Sequence, residues 1–202
     1  MLTLKLKLII KKYLKMKKLN TLKSIKLLAI LFVSTIVMTS CSDDHDHDHD
    51  HEGELITTVS YTLTNGNDVV TLTFQDTDGD GPNLPTTTIS GPLTANSTYT
   101  GLVQLLNETT SPAENITNEV QQEGDEHEFF YVSTVSGLTI TKTDTDGNGN
   151  PLGIATSLST GTAGSGSITV ILKHEPTKPN NGTAAGAGGS TDVEVTFNVT
   201  VQ

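Results

Sequence analysis

From residue 55 to the C-terminus, apolar positions recur at every second residue, in short runs broken by turn residues. Residues 55–64 (LITTVSYTLT) alternate in this way. Asn65-Gly66-Asn67 then favours a tight hairpin turn, and 69–74 (VVTLTF) resumes the alternation as the partner strand. Further strands are predicted over 86–90, 97–106, 127–134, 137–142, 155–160, 167–174 and 193–201. Residues 112–122 read as a short helix or acidic loop entered at Ser111-Pro112, and 180–190 (NNGTAAGAGGS) as a flexible loop. With no long helical pattern, this spacing predicts an all-β fold, an antiparallel β-sandwich of immunoglobulin-like type, with a small β-barrel as the alternative. The tryptophan and cysteine pair of true immunoglobulins are absent.

The first 40 residues follow a different pattern. Lys15, Lys17, Lys18, Lys23 and Lys26 precede an apolar run, 27–38 (LLAILFVSTIVM), which suits the h-region of a signal peptide and is short for a membrane span. The run ends at Met38-Thr39-Ser40-Cys41, which resembles the bacterial lipobox with Cys41 as the lipidated residue; Met38 is the less common choice there. Met16 followed by Lys17-Lys18 makes a more ordinary start than Met1. The expected organisation is a signal peptide over 1–40, a lipidated cysteine and disordered tail over 41–53, and one β domain over 54–202. Cys41 is the only cysteine, so no disulfide can support the domain.

Charge sharpens this division. Nine of the twelve lysines lie at or before Lys26, there is no arginine, and every acidic residue follows Cys41. Beyond residue 40, three lysines face 23 acids, a formal charge of −20. Such a body repels phosphate backbones, which excludes nucleic-acid partners, and it attracts cations.

Residues 45–52 are the densest chemistry in the chain: His45, His47, His49 and His51 alternate with Asp46, Asp48, Asp50 and Glu52. In an extended chain, residues two apart point the same way at a spacing of about 7 Å. A curling tail can therefore bring two to four imidazoles to one ion. Imidazole suits zinc, copper and nickel, and the carboxylates serve as further ligands or as acceptors that orient the imidazole N–H groups. Zinc is the first expectation. A floppy string is a capture device and not a catalytic site.

Two loops in the body, Asp76-Thr77-Asp78-Gly79-Asp80-Gly81 and Asp144-Thr145-Asp146-Gly147-Asn148-Gly149, fit the first half of a calcium loop. Asp76, Asp78, Asp80, Asp144, Asp146 and Asn148 are thus candidate calcium ligands. The twelfth positions, Thr87 and Ala155, lack the bidentate acid, and turns use these residue types in any case. The two body histidines sit beside acids, so His127, Glu128, His174 and Glu175 form a candidate second transition-metal site if their strands are neighbours. The chain has no G-x-S-x-G elbow, no H-E-x-x-H and no phosphate loop, and no enzymatic activity is expected.

The stretches CSDDHDHDHDHEGELITTVSYTLT, TLTFQDTDGDG, SPAENITNEVQQEGDEHEFFY and KHEP resemble a family of small Bacteroidetes lipoproteins with His/Asp-rich N-terminal tails. Members carry the label "type 1 periplasmic binding fold". That label implies an α/β fold, whereas this strand pattern never alternates with helices, so the β reading stands. The resemblance implies an outer-membrane lipoprotein linked to metal uptake through a TonB-dependent receptor. The acidic Ser42-Asp43-Asp44 after the cysteine resembles a surface-export signal of that group, which favours the cell surface over the periplasmic face.

Overall fold

The computed structural model describes residues 54–79 and 81–202. Cys41, the His/Asp string 45–52 and Asp80 lie outside the described residues. Alternation builds the first hairpin, β1 (Thr58–Asn65) and β2 (Asp68–Gln75). Val59, Tyr61 and Leu63 of β1 point inward with Val70 and Leu72 of β2. Asn65 pairs with Asp68 across a two-residue loop in which Gly66 has φ +59°, the first-position glycine of a tight hairpin turn. Then come β3 (Thr86–Ile89) and β4 (Thr98–Asn107), and every second residue of β4 is buried.

The segment expected as a helix from residue 112 starts later. Glu114–Asn115 (β5) pairs with the end of β4, and the helix α1 spans Ile116–Gln122. Its two apolar residues, Ile116 and Val120, are one turn apart and both buried, so the helix lies along the sandwich with Glu119 facing outward. The remaining strands are β6 (His127–Ser133), β7 (Thr139–Lys142), β8 (Ala155–Ser159), β9 (Gly164–His174) and β10 (Ser190–Val201). The stretch expected as a loop at 180–190 carries one helical turn, α2 (Ala184–Ala187), capped by the Thr183 hydroxyl, which accepts from Gly186 N. Ala187 packs on Phe130 and Ile171, closing the outer face of the small sheet.

All strand pairs between named strands are antiparallel. The large sheet runs β3-β2-β1-β4-β8-β7 with β5 added on β4, and the small sheet runs β10-β9-β6. Neither sheet closes on itself, so the fold is an all-β sandwich and not a barrel. Tyr61, Leu72, Val103 and Leu158 from one sheet meet Phe129, Val170, Leu172 and Phe197 from the other in one apolar core. Gly101 of β4 lets Tyr61 reach Thr156, whose hydroxyl lies 2.7 Å from the phenol oxygen.

One end of β6 is buried on both faces: His127, Glu128, Phe129 and Phe130 are all inaccessible. This is where the charged chemistry of the domain collects.

Candidate metal centre

Strand alternation decides which charged groups meet. His127 pairs directly with His174 across β6 and β9, and their rings stack with centroids 4.8 Å apart and planes 19° apart. Both are on the core-facing side, in step with Phe129 and Leu172. Glu128, one residue along, must face the other way. Its carboxylate takes the Lys142 ammonium and, at 2.6 Å, the Asn180 amide. Glu175 follows the end of β9, is exposed, and has φ +51°. Of the four residues read as a second site, the structure therefore unites the two histidines, and Glu128 faces the other way.

Other carboxylates take their place. Glu54, the first described residue, brings Oε1 to 3.2 Å from His127 Nε2. Asp192 brings Oδ2 to 3.9 Å from the same nitrogen and Oδ1 to 3.9 Å from His174 Nδ1. Asp192 owes its position to a β-bulge. The register of β10 against β9 slips between Thr191 and Val193, leaving Asp192 as the extra residue. Strict alternation would send it to the face opposite Val193, and the bulge re-aims it onto the histidines. Glu126 Oε2 lies 4.0 Å from His174 Nε2 on the outer side.

The proton arrangement at His127 is constrained. The ring is fully buried, and Nδ1 lies 3.1 Å from the Glu123 carbonyl at the end of α1. A carbonyl only accepts, so Nδ1 carries a proton and donates. Nε2 is left facing two carboxylates, with a lone pair unless it too is protonated. Burial alone would lower the His127 pKa, but the hydrogen bond and charge of Glu54, the Glu123 carbonyl and the charge of Asp192 together raise it. Burial also raises the Asp192 carboxyl, the Glu54 charge adds to this, and the two histidines pull it back in part. Apart from the 3.2 Å contact of His127 Nε2 with Glu54 Oε1, the cluster leaves Oε2 of Glu54 and Oδ2 of Asp192 buried without a hydrogen-bond partner. Buried polar groups normally find partners, so two orphans at one point describe a place that attracts a cation.

The described carboxylates of the two calcium-type loops make bonds within the chain. Asp144 accepts the backbone N–H groups of Gly153 and Ile154 at 2.7 and 3.0 Å. Asp146 accepts from Asn148 N, Asn150 N and the Asn150 amide, and its Oδ2 lies 3.2 Å from the Lys178 ammonium. Lys178 also donates to the carbonyls of Gly124 and His127. The carboxylates of that loop are thus engaged by an ammonium and by N–H groups of the chain itself. In the first loop, Asp78 Oδ2 accepts from the Asn83 backbone and amide, while Asp76 keeps one buried oxygen without a partner. The Asn83 backbone hydrogen bond is the main reason the Asp78 carboxyl lies below its ordinary pKa.

Compared with known proteins, the chain matches no family model, no curated protein and no solved structure.

Proposed function

We propose that this chain is a lipid-anchored envelope protein that captures transition-metal ions, zinc foremost with copper or nickel as competitors. In this reading it delivers them toward an outer-membrane receptor of the TonB-dependent class. The observation that carries the reading is the ligand string from His45 to Glu52, four imidazoles alternating with four carboxylates. Cys41 provides the anchor and the acidic body concentrates cations near the string. The same chemistry recurs past the string: Glu54, one residue beyond Gly53, lies against the buried His127. Calorimetry tests it. Zinc binding by the mature chain should fall sharply when His45, His47, His49 and His51 are all changed to alanine. Equal stoichiometry and affinity in both chains would refute tail capture.

One observation favours a second reading, an adhesive or structural module with the tail as a spacer. The outer face of the large sheet is tiled with hydroxyls. Thr73 lies between Thr88 and Ser60 in register, and Thr100 lies between Thr64 and Ser157. An uncharged face of this kind on so acidic a chain is what such a module would present. Retention of partner binding after deletion of residues 43–52, with growth under zinc limitation unchanged, would favour it.

A further inference from the structure

The structure assigns a second, built metal site to the folded domain: a single divalent transition-metal ion held by His127 Nε2, His174 Nδ1, Asp192 and Glu54. This site is separate from the tail and does not depend on the tail's role.

Four observations carry it. First, the ligand atoms of His127, His174 and Asp192 lie within 4.8 Å of one another. Two ligands about 2.1 Å from a tetrahedral ion stand about 3.4 Å apart, so side-chain shifts of roughly 1–1.5 Å bring these three onto one ion, and Glu54, which approaches through His127 at 3.2 Å, completes the shell by rotation. Second, His127 already has the support that metal-bound histidines use. Nδ1–H is held by a backbone carbonyl, which fixes the tautomer and aims the Nε2 lone pair at the carboxylates. Third, a lone pair aimed at two carboxylates is repulsive without a cation between them. A proton on Nε2 satisfies the oxygen 3.2 Å away but leaves Oε2 of Glu54 and Oδ2 of Asp192 without hydrogen-bond donors. A metal ion bound by both carboxylates offsets the charge of both. Fourth, the bulge in edge strand β10 turns Asp192 inward, so its carboxylate comes within 3.9 Å of both histidines.

The donor set selects the ion class. Two imidazoles disfavour calcium and magnesium, which prefer all-oxygen shells. Copper(I) prefers sulfur, and every sulfur atom of the chain lies at or before Cys41. Two nitrogens and two oxygens around a tetrahedron suit zinc, with cobalt(II) as its spectroscopic substitute. His127 is sealed and Asp192 nearly so, whereas His174 and Glu54 retain 12% and 13% side-chain exposure, so ions reach the site from that side.

The test uses the mature chain carrying His45→Ala, His47→Ala, His49→Ala and His51→Ala. Titration with cobalt(II) should give one equivalent with the intense visible bands of four-coordinate cobalt, displaced by one zinc, and zinc should raise the melting temperature. Asp192→Asn and His174→Ala should each weaken binding by more than about a hundredfold, beyond what loss of a ligand's supporting partner costs. Glu175→Gln should bind as the parent does. If a ligand variant does not fold, nitrogen-15 spectra of the parent decide. Zinc should shift His127 Nε2 and leave Nδ1 protonated, and unshifted histidine nitrogens would overturn the site. Loss of all binding in the tail variant would overturn it as well and leave tail capture standing. One ion bound by the tail variant, with no more bound by the unaltered chain, would support the site and remove tail capture instead.

Discussion

Replacing Lys178 by methionine keeps the length and apolar stem of the side chain and removes one charge. The ammonium is nearly buried, with 6% side-chain exposure, and its partner Asp146 is fully buried. It joins three places: Asp146 in the loop after β7, the Gly124 carbonyl after α1, and the backbone carbonyl of His127. Methionine would leave two carbonyls without this donor and Asp146 without its counter-charge. Asp146 would keep its bonds from Asn148 and Asn150. Removing one partner of a buried ion pair costs about 3–5 kcal/mol. The retained bonds place this case near about 3 kcal/mol, against a total stability of roughly 5–15 kcal/mol for a domain. For a domain of this size, that corresponds to a fall in melting temperature of about 6–12 °C. Thermal unfolding at neutral pH followed by circular dichroism measures it, with Asp146→Asn and the double variant completing the cycle. The double variant should recover part of the loss, because no unpaired charge remains. A single variant that melts within about 2 °C of the parent would refute the idea that Lys178 acts as an internal cation.

The other predictions probe the fold and its charges. Asp146 sits below its ordinary carboxyl pKa: burial alone would raise it, but bonds from Asn150, Lys178 and Asn148 outweigh that. A depressed folded value means that its stabilising contribution is present above the unfolded pKa, about 3.9, and is lost as pH falls through the folded value. Asp146→Asn should therefore flatten the acid limb of a stability–pH curve, and an unchanged limb would count against it. Gly101→Ala places a methyl 2.3 Å from the Thr156 hydroxyl and 2.7 Å from Tyr61. Chemical denaturation should show a loss of about 2–4 kcal/mol from overpacking and the disturbed hydrogen bond. Burial raises Tyr61 to about 12, opposed in part by its hydrogen bond with Thr156, and raises Tyr131 well above the ordinary value. An ultraviolet titration should show no phenolate from these two until the alkaline end, where ionisation and unfolding coincide; early, reversible ionisation of both would contradict the packing described.

Much of the strand pattern was legible because period-two alternation is a local property. Residues 127–134 and 167–174 were read as strands, and the structure places β6 and β9 there. The 65–67 turn was legible because glycine at a tight hairpin position is a local requirement. The short helix or acidic loop expected at 112–122 resolves into a helix from Ile116, because Glu114 and Asn115 find a ladder partner in Leu106 and Asn107, which no local signal announces. The turn over Ala184–Ala187 was missed because its residues are small and weakly patterned, and its anchor, Ala187, is buried only against Phe130 and Ile171 from distant strands.

The candidate centre divides along the same line. By itself, the sequence determined that His127 and His174 are the only imidazoles of the body. Strand alternation could also have excluded Glu128, since a neighbour in a strand faces the opposite side. Glu54 and Asp192 could not be read from the sequence. They stand 73 and 18 residues from the histidine each approaches, counting Glu54 to His127 and His174 to Asp192. Only tertiary structure decided that they converge. Which strands are neighbours is settled by burial of the whole core, and the one-residue slip that turns Asp192 inward is settled by the pairing of β10 against β9, not by any residue's own preference.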